Sequence, residues 1–188
     1  MLRIFLRLLN APALILIVAL GMAIQTSLFA SQPLSYIQPD VALITVIWIA
    51  LRRGFTEGGA LTLILASIAE SHSAAPQGVL LCTYMAIFLL VRISSRVLVL
   101  PHHTSLVLLA IACVVAWKLL LLAMVALLGG GSNQWRHTLL YLSPGAIVNG
   151  LLSFWAFRWL EKFDWATFKN PRAHQALDDE YRPEGEGI

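Results

Sequence analysis

Acidic side chains are nearly missing from most of this chain. Before position 161 there are three, Asp40, Glu57 and Glu70, and the other seven lie in residues 161–188. Charge of either sign is scarce: 12% of the 188 residues are charged, about half the share of a soluble domain. So little polar surface cannot cover a globule in water. With 59% hydrophobic residues and a mean hydropathy of +0.77, the expected solvent for most of the chain is lipid.

Other scarcities narrow the function. The two cysteines, Cys82 and Cys113, sit apart in apolar runs, which suits small packing residues rather than a disulfide framework or metal site. His72, His102, His103, His137 and His174 fall in loops or the tail without metal-ligand spacing to other donors. No phosphate-binding glycine loop appears, since Gly129, Gly130, Gly131 and Ser132 lead into no Gly-Lys-Ser/Thr motif. Asp40 and Glu70 are the only acids that could act as a pair. No enzymatic activity, metal or cofactor is expected. Nor is nucleic acid: residues 1–160 hold nine basic and three acidic side chains, net +6, against −3 for the remainder, and that basicity reads as membrane topology.

Six apolar segments appear, near 11–30, 37–51, 55–70, 78–98, 104–128 and 138–160. A helix needs about 20 residues to cross the hydrocarbon core, so the second and third are short. The first resembles a signal peptide behind Arg3 and Arg7, but Leu28 precedes Ala30 where a small residue is needed, so a retained span is expected. Arg3, Arg7, Arg52, Arg53, Arg92, Arg96, Arg158 and Lys162 fall on one side of six crossings, while the opposite loops hold Arg136. The positive-inside rule then places both termini in the cytoplasm. A re-entrant hairpin made of the second and third segments would leave Arg52, Arg53 and Glu57 at mid-membrane, at about 2.5–3.5 kcal/mol each. Two true crossings are favoured, with Arg52 and Arg53 snorkelling to the headgroups. Tyr36, Trp135 and Tyr141 fall near one boundary, and Trp48, Trp155, Trp159 and Trp165 near the other. Residues 163–188 read as a short disordered cytoplasmic tail after a membrane domain of residues 1–162.

Polar groups at membrane depth each need a partner. Lys118 lies past the middle of the fifth segment, and its face offers only Val114, Leu121 and Leu122. It either meets Glu70 or Asp40 from another helix, or stretches alone to the headgroups. Glu70 closes a stripe of Gly59, Thr62 and Ala66 that would let another helix approach and aim the acid into the bundle. Asp40, after Pro39, suits a helix N-cap. Gly145, Asn149 and Ser153 form a stripe suited to a helix contact. Ala19 and Ala23 flank Gly21 in a small-residue contact on the first span.

These motifs bring a resemblance with them. IQPDVALITVIWIALRRG, followed by a glycine-led helix and ASIAESHSAAPQGVLLCTY, resembles the rod shape-determining protein MreD family. Pro39, Asp40, Gly58, Gly59, Glu70, Pro76 and Gly78 match its motif in order, and LSPGAIVNGLLSF resembles its last helix through Pro144 and Asn149. The likeness covers residues 36–160. Two departures are Glu70 in place of the usual aspartate and LASIA in place of a Gly-Leu run. The resemblance implies an all-α, six-helix bundle in the bacterial inner membrane, similar in shape to the substrate-binding subunits of energy-coupling-factor vitamin transporters. It implies a scaffold that binds MreC and links the MreB filament to a RodA-type glycan polymerase and a class B penicillin-binding protein. Pro39, Asp40, Gly58, Gly59, Glu70, Pro76, Gly78, Lys118 and Asn149 are the expected structural or partner-docking residues. The rival reading is a small-molecule transporter subunit, against which stand outer loops poor in polar and aromatic groups.

Overall fold

The computed structural model describes residues 2–29, 31, 38–73, 75–97, 103–129, 134–167 and 169. Among them are six helices and no strand: α1 (Leu2–Leu28), α2 (Val41–Arg52), α3 (Phe55–Ser71), α4 (Val79–Val97), α5 (His103–Leu127) and α6 (Gln134–Ala166). The six expected segments each correspond to one helix. Two stretches, Leu8–Leu28 and Leu106–Leu127, are long and apolar enough to cross a membrane. Only 22% of the best window in each is buried inside the structure.

Local chemistry sets the boundaries. Asp40 caps α2, its extended backbone (φ −106°, ψ 90°) placing the carboxylate to accept from the Leu43 N–H at 2.8 Å. Arg53 leaves the helix in an extended conformation, and Gly54 starts α3. Gly78 adopts φ +85°, a left-handed conformation that costs glycine little, and so turns the chain from α3 into α4. Two bounds differ most from expectation. α1 starts well before residue 11, carrying Pro12 inside it. α6 continues to Ala166, so the first residues of the presumed tail are helical. Residues 170–188 lie outside the described residues.

Successive helices alternate in direction between two ends, named here for Asp40 and Arg53. α2 touches every other helix. Its residues Ala42 to Ala50 are all buried, so it is the central rod of the bundle. This accounts for a helix of 12 residues, about 18 Å, among much longer ones: its neighbours shield it. α2 and α6 run parallel and in step. Asp40 bonds Asn149 and Arg52 bonds Glu161, both across 109 positions. Beyond Asp40 α2 has stopped, while α5 and α6 carry on, and a recess remains at that end.

Packing is closest at two glycines. A Cβ on Gly58 would lie 2.9 Å from Phe88 Cε2, where α3 meets α4, whereas at Gly59 the nearest approach is an ordinary 3.9 Å. A Cβ on Gly150 would lie 2.5 Å from Ile111 Cγ1, so α5 and α6 meet there. Polar side chains are drawn inside: Asn10, Thr45, Arg53, Thr62, Asn149, Ser153 and Asp164 are among the buried residues. Large apolar ones such as Leu8, Leu16, Leu20, Leu108, Leu151 and Trp155 face out.

Candidate functional site

The recess at the Asp40 end is a cavity of about 690 Å³. Gln25, Asp40, Tyr84, Trp117, Lys118 and Asn149 supply its main polar and aromatic groups, one or two from each of α1, α2, α4, α5 and α6.

Its floor is the start of α2. The first-turn N–H groups of a helix have no partners within the helix. Here side chains from two helices, α1 and α6, and the cap serve them. The Asp40 N–H donates to Asn149 Oδ1 at 2.7 Å, the Val41 N–H to Gln25 Oε1 at 3.1 Å, and the Leu43 N–H to Asp40 Oδ1. Asn149 is fixed in turn by donating from Nδ2 to the Gly145 carbonyl at 2.8 Å. The Tyr84 hydroxyl donates to the Asp40 carboxylate, 2.9 Å from Oδ2 and 3.1 Å from Oδ1. Tyr84 also lies beside Trp117, with ring centroids 5.9 Å apart. Asp40 is therefore both the expected N-cap and the node joining α2, α4 and α6, while α1 is tied to the same turn through Val41.

Lys118 stands on the α5 wall with its ammonium 5.8 Å from the Trp117 ring centroid. Asp40 is its electrostatic partner. The two form no ion pair within 4 Å, and Lys118 makes no hydrogen bond among the described residues.

Glu70 has a different role from the one expected. Its carboxylate does not reach Lys118 or turn into the bundle. Instead Oε1 accepts from the Gly78 N–H and Oε2 from the Leu81 N–H at 3.1 Å. It caps α4 from the end of the preceding helix, where a negative charge also complements the helix dipole. Pro76 and Gly78 make the turn that brings those N–H groups round. Thr62 and Ala66 of its stripe are buried, as a helix contact requires.

The opposite end holds a cluster absent from the sequence reading. Arg53, expected to reach outward, has a side chain only 4% exposed. It donates to Asp164 Oδ1 at 2.5 Å and to Asn10 Oδ1 at 2.8 Å, and lies over the Trp48 ring. Asn10 Nδ2 donates to Asp164 at 3.0 Å and to Thr167 Oγ1 at 2.6 Å. Glu57 lies 3.6 Å from Arg53 and 3.0 Å from Lys169. Arg92 donates to the carbonyls of Ala50 and Arg53, covering the end of α2. Arg52 is the exposed member and pairs with Glu161. One signal was available: Asn10 is an amide inside an apolar run, and Glu161 and Asp164 lie three apart on one helix face. Nothing in the sequence couples them to Arg53.

Among the described residues no group of three or more His, Cys, Asp or Glu side chains could hold a metal ion. No protein-family model matches the chain, nor does any curated protein or solved structure.

Proposed function

We propose that this chain is a six-span scaffold of the bacterial inner membrane, with both termini cytoplasmic, in the machinery of cell elongation. In this reading it receives the transmembrane helix of MreC and so links the MreB filament to a RodA-type glycan polymerase and a class B penicillin-binding protein. The Arg53 end is the cytoplasmic one and the Asp40 recess opens outward.

The supporting observation is the mutual bonding of the residues that carry the resemblance. Asp40 bonds Asn149, Glu70 bonds the Gly78 N–H, and a side chain at Gly58 would press on Phe88 of α4. Motif residues scattered over the chain thus form the joints of one bundle, as a family fold requires. Two further features agree. Arg52, Arg53 and Arg92 gather at one end, as the positive-inside rule asks of a cytoplasmic face. Many large apolar side chains face outward, as lipid or a partner helix requires.

Purification from native membranes in mild detergent tests the reading. A single-span protein with an extracytoplasmic domain is expected in stoichiometric amount. Its absence, or reporter fusions that place the two termini on opposite faces, would overturn the proposal.

The recess favours a second reading, a substrate-binding subunit of a small-molecule transporter. Its volume and its Tyr84, Trp117 and Lys118 side chains supply the polar and aromatic groups that the loops lack. A tightly retained vitamin without a single-span partner would decide for it.

A further inference from the structure

The polar groups around the Asp40 cavity differ in what they still lack. Both Asp40 oxygens accept hydrogen bonds, from Leu43 and Tyr84. Both polar atoms of Asn149 are engaged, and the Gln25 carbonyl oxygen accepts from Val41. Three donors on the α1 and α5 walls remain without a partner among the described residues, while Gln38, His72 and Ser73 line the rim as neutral polar groups. The Lys118 ammonium has no hydrogen bond or ion pair among the described residues, and the Gln25 amide nitrogen donates to none of them. The Trp117 indole N–H is buried in the wall with no acceptor among the described residues. A half-buried ammonium and two amide-type donors ask for an acceptor-rich, negatively charged partner.

We propose that the cavity binds an oxyanion, a phosphate or carboxylate group, with Lys118 as its main contact and the Gln25 amide beside it. Asp40, the electrostatic partner of Lys118, opposes an anion only in part. Its carboxylate is turned into the first turn of α2 and covered by the Tyr84 hydroxyl, so its charge is offset before a ligand arrives. Met22, Phe29 and Leu121 line the same space and suit the organic remainder of the ligand. The volume, about 690 Å³, falls within the range of small-molecule sites. An oxyanion there has two sources, a lipid headgroup or a free solute. The site is the one the transporter reading would use, but binding is inferred whether or not transport follows.

The test uses the full chain in nanodiscs of phosphatidylcholine, alone or mixed with phosphatidylglycerol. Retained lipid is read by native mass spectrometry, and inorganic phosphate and succinate are titrated by calorimetry into the neutral discs. Selective retention of phosphatidylglycerol assigns a headgroup, and uptake of phosphate or succinate assigns a free solute. In either case Lys118→Met weakens binding about tenfold, and Lys118→Arg keeps most of it. Should Lys118→Met fail to fold, Gln25→Glu retains the oxygen that serves Val41 while placing a negative charge in the cavity, and it abolishes anion binding. Equal retention of neutral and anionic lipid with no anion uptake overturns the proposal, as does binding that these variants leave unchanged. Loss of a protein partner on purification bears on the scaffold reading alone.

Discussion

Asn149 on α6 accepts the Asp40 backbone N–H at 2.7 Å, so a side chain in the middle of one helix marks where another begins. The bond sits at one end of the parallel α2–α6 pair and the Arg52–Glu161 contact at the other. Together they set the sliding register of the two helices and the depth of the recess above α2.

Asn149→Leu keeps the volume and removes the acceptor. The Asp40 N–H then lacks a partner at a half-buried site, and a loss of about 1–2 kcal/mol is expected. Unfolding in mixed micelles with increasing dodecyl sulfate, followed by circular dichroism, measures it. Tyr84→Phe removes one donor from Asp40, which still has the Leu43 N–H, and costs about 1 kcal/mol. A stability equal to the parent in Asn149→Leu would show that the register is set elsewhere.

Glu70 acts through α4. Glu70→Ala exposes the Gly78 and Leu81 N–H groups and lowers stability by about 1 kcal/mol. Glu70→Gln still offers one carbonyl oxygen and loses only part of that. Lys118→Met leaves both bonds in place, so the Glu70→Ala effect is the same in either background. A strong dependence on Lys118 would instead restore the ion pair that the geometry lacks.

The order and number of helices were legible because hydropathy and turn residues act locally. Pro39–Asp40 and Pro76–Gly78 announce their boundaries within a few positions, and the shortness of α2 is visible in the run itself. Partners were not legible where the helix is apolar on every side. Around Lys118 all neighbours are hydrophobic, so periodicity names no inner face and could not choose between Asp40 and Glu70. Glu70 reads as inward because it ends the small-residue stripe of Gly59, Thr62 and Ala66. Its carboxylate follows the turn instead, eight residues on, a choice made by backbone donors that a side-chain pattern does not display. The Arg53 cluster was missed for a related reason. A double arginine at a helix end reads as headgroup-seeking, and burial became favourable only when α1 and α6 delivered Asn10 and Asp164.

Gly150 and Ile111 are expected to be coupled. Gly150→Ala puts a methyl group 2.5 Å from Ile111 Cγ1 and 2.9 Å from Cδ1, so the side chain must turn or α5 and α6 must part. Overpacking of this kind costs about 1–3 kcal/mol. Ile111→Ala alone opens a void, yet in combination it relieves the clash. The double variant should therefore be more stable than the sum of the single losses predicts. Strict additivity in the same micelle titration would mean that the helices separate freely at this crossing.

The Arg53–Asp164 pair gives the sharpest test at the opposite end. With side chains 4% and 9% exposed, both charges lie out of water. Removing Arg53 leaves Asp164 buried with no ion-pair partner among the described residues, and removing Asp164 leaves Arg53 only the more distant Glu57; breaking a buried pair typically costs about 3–5 kcal/mol, whereas replacing both by apolar groups of similar size is often close to neutral. Arg53→Met and Asp164→Leu should each be strongly destabilising, and the double variant should recover much of the loss. Recovery will be incomplete, because Asn10 donates to Asp164 and accepts from Arg53, and its amide would then keep only Thr167. Adding Asn10→Leu removes that residual group and should raise stability again, which no exposed ion pair would do. If instead the single variants lose less than about 1 kcal/mol, as surface pairs do, water reaches the cluster, and it cannot be what ties α1 and the end of α6 to the foot of α2.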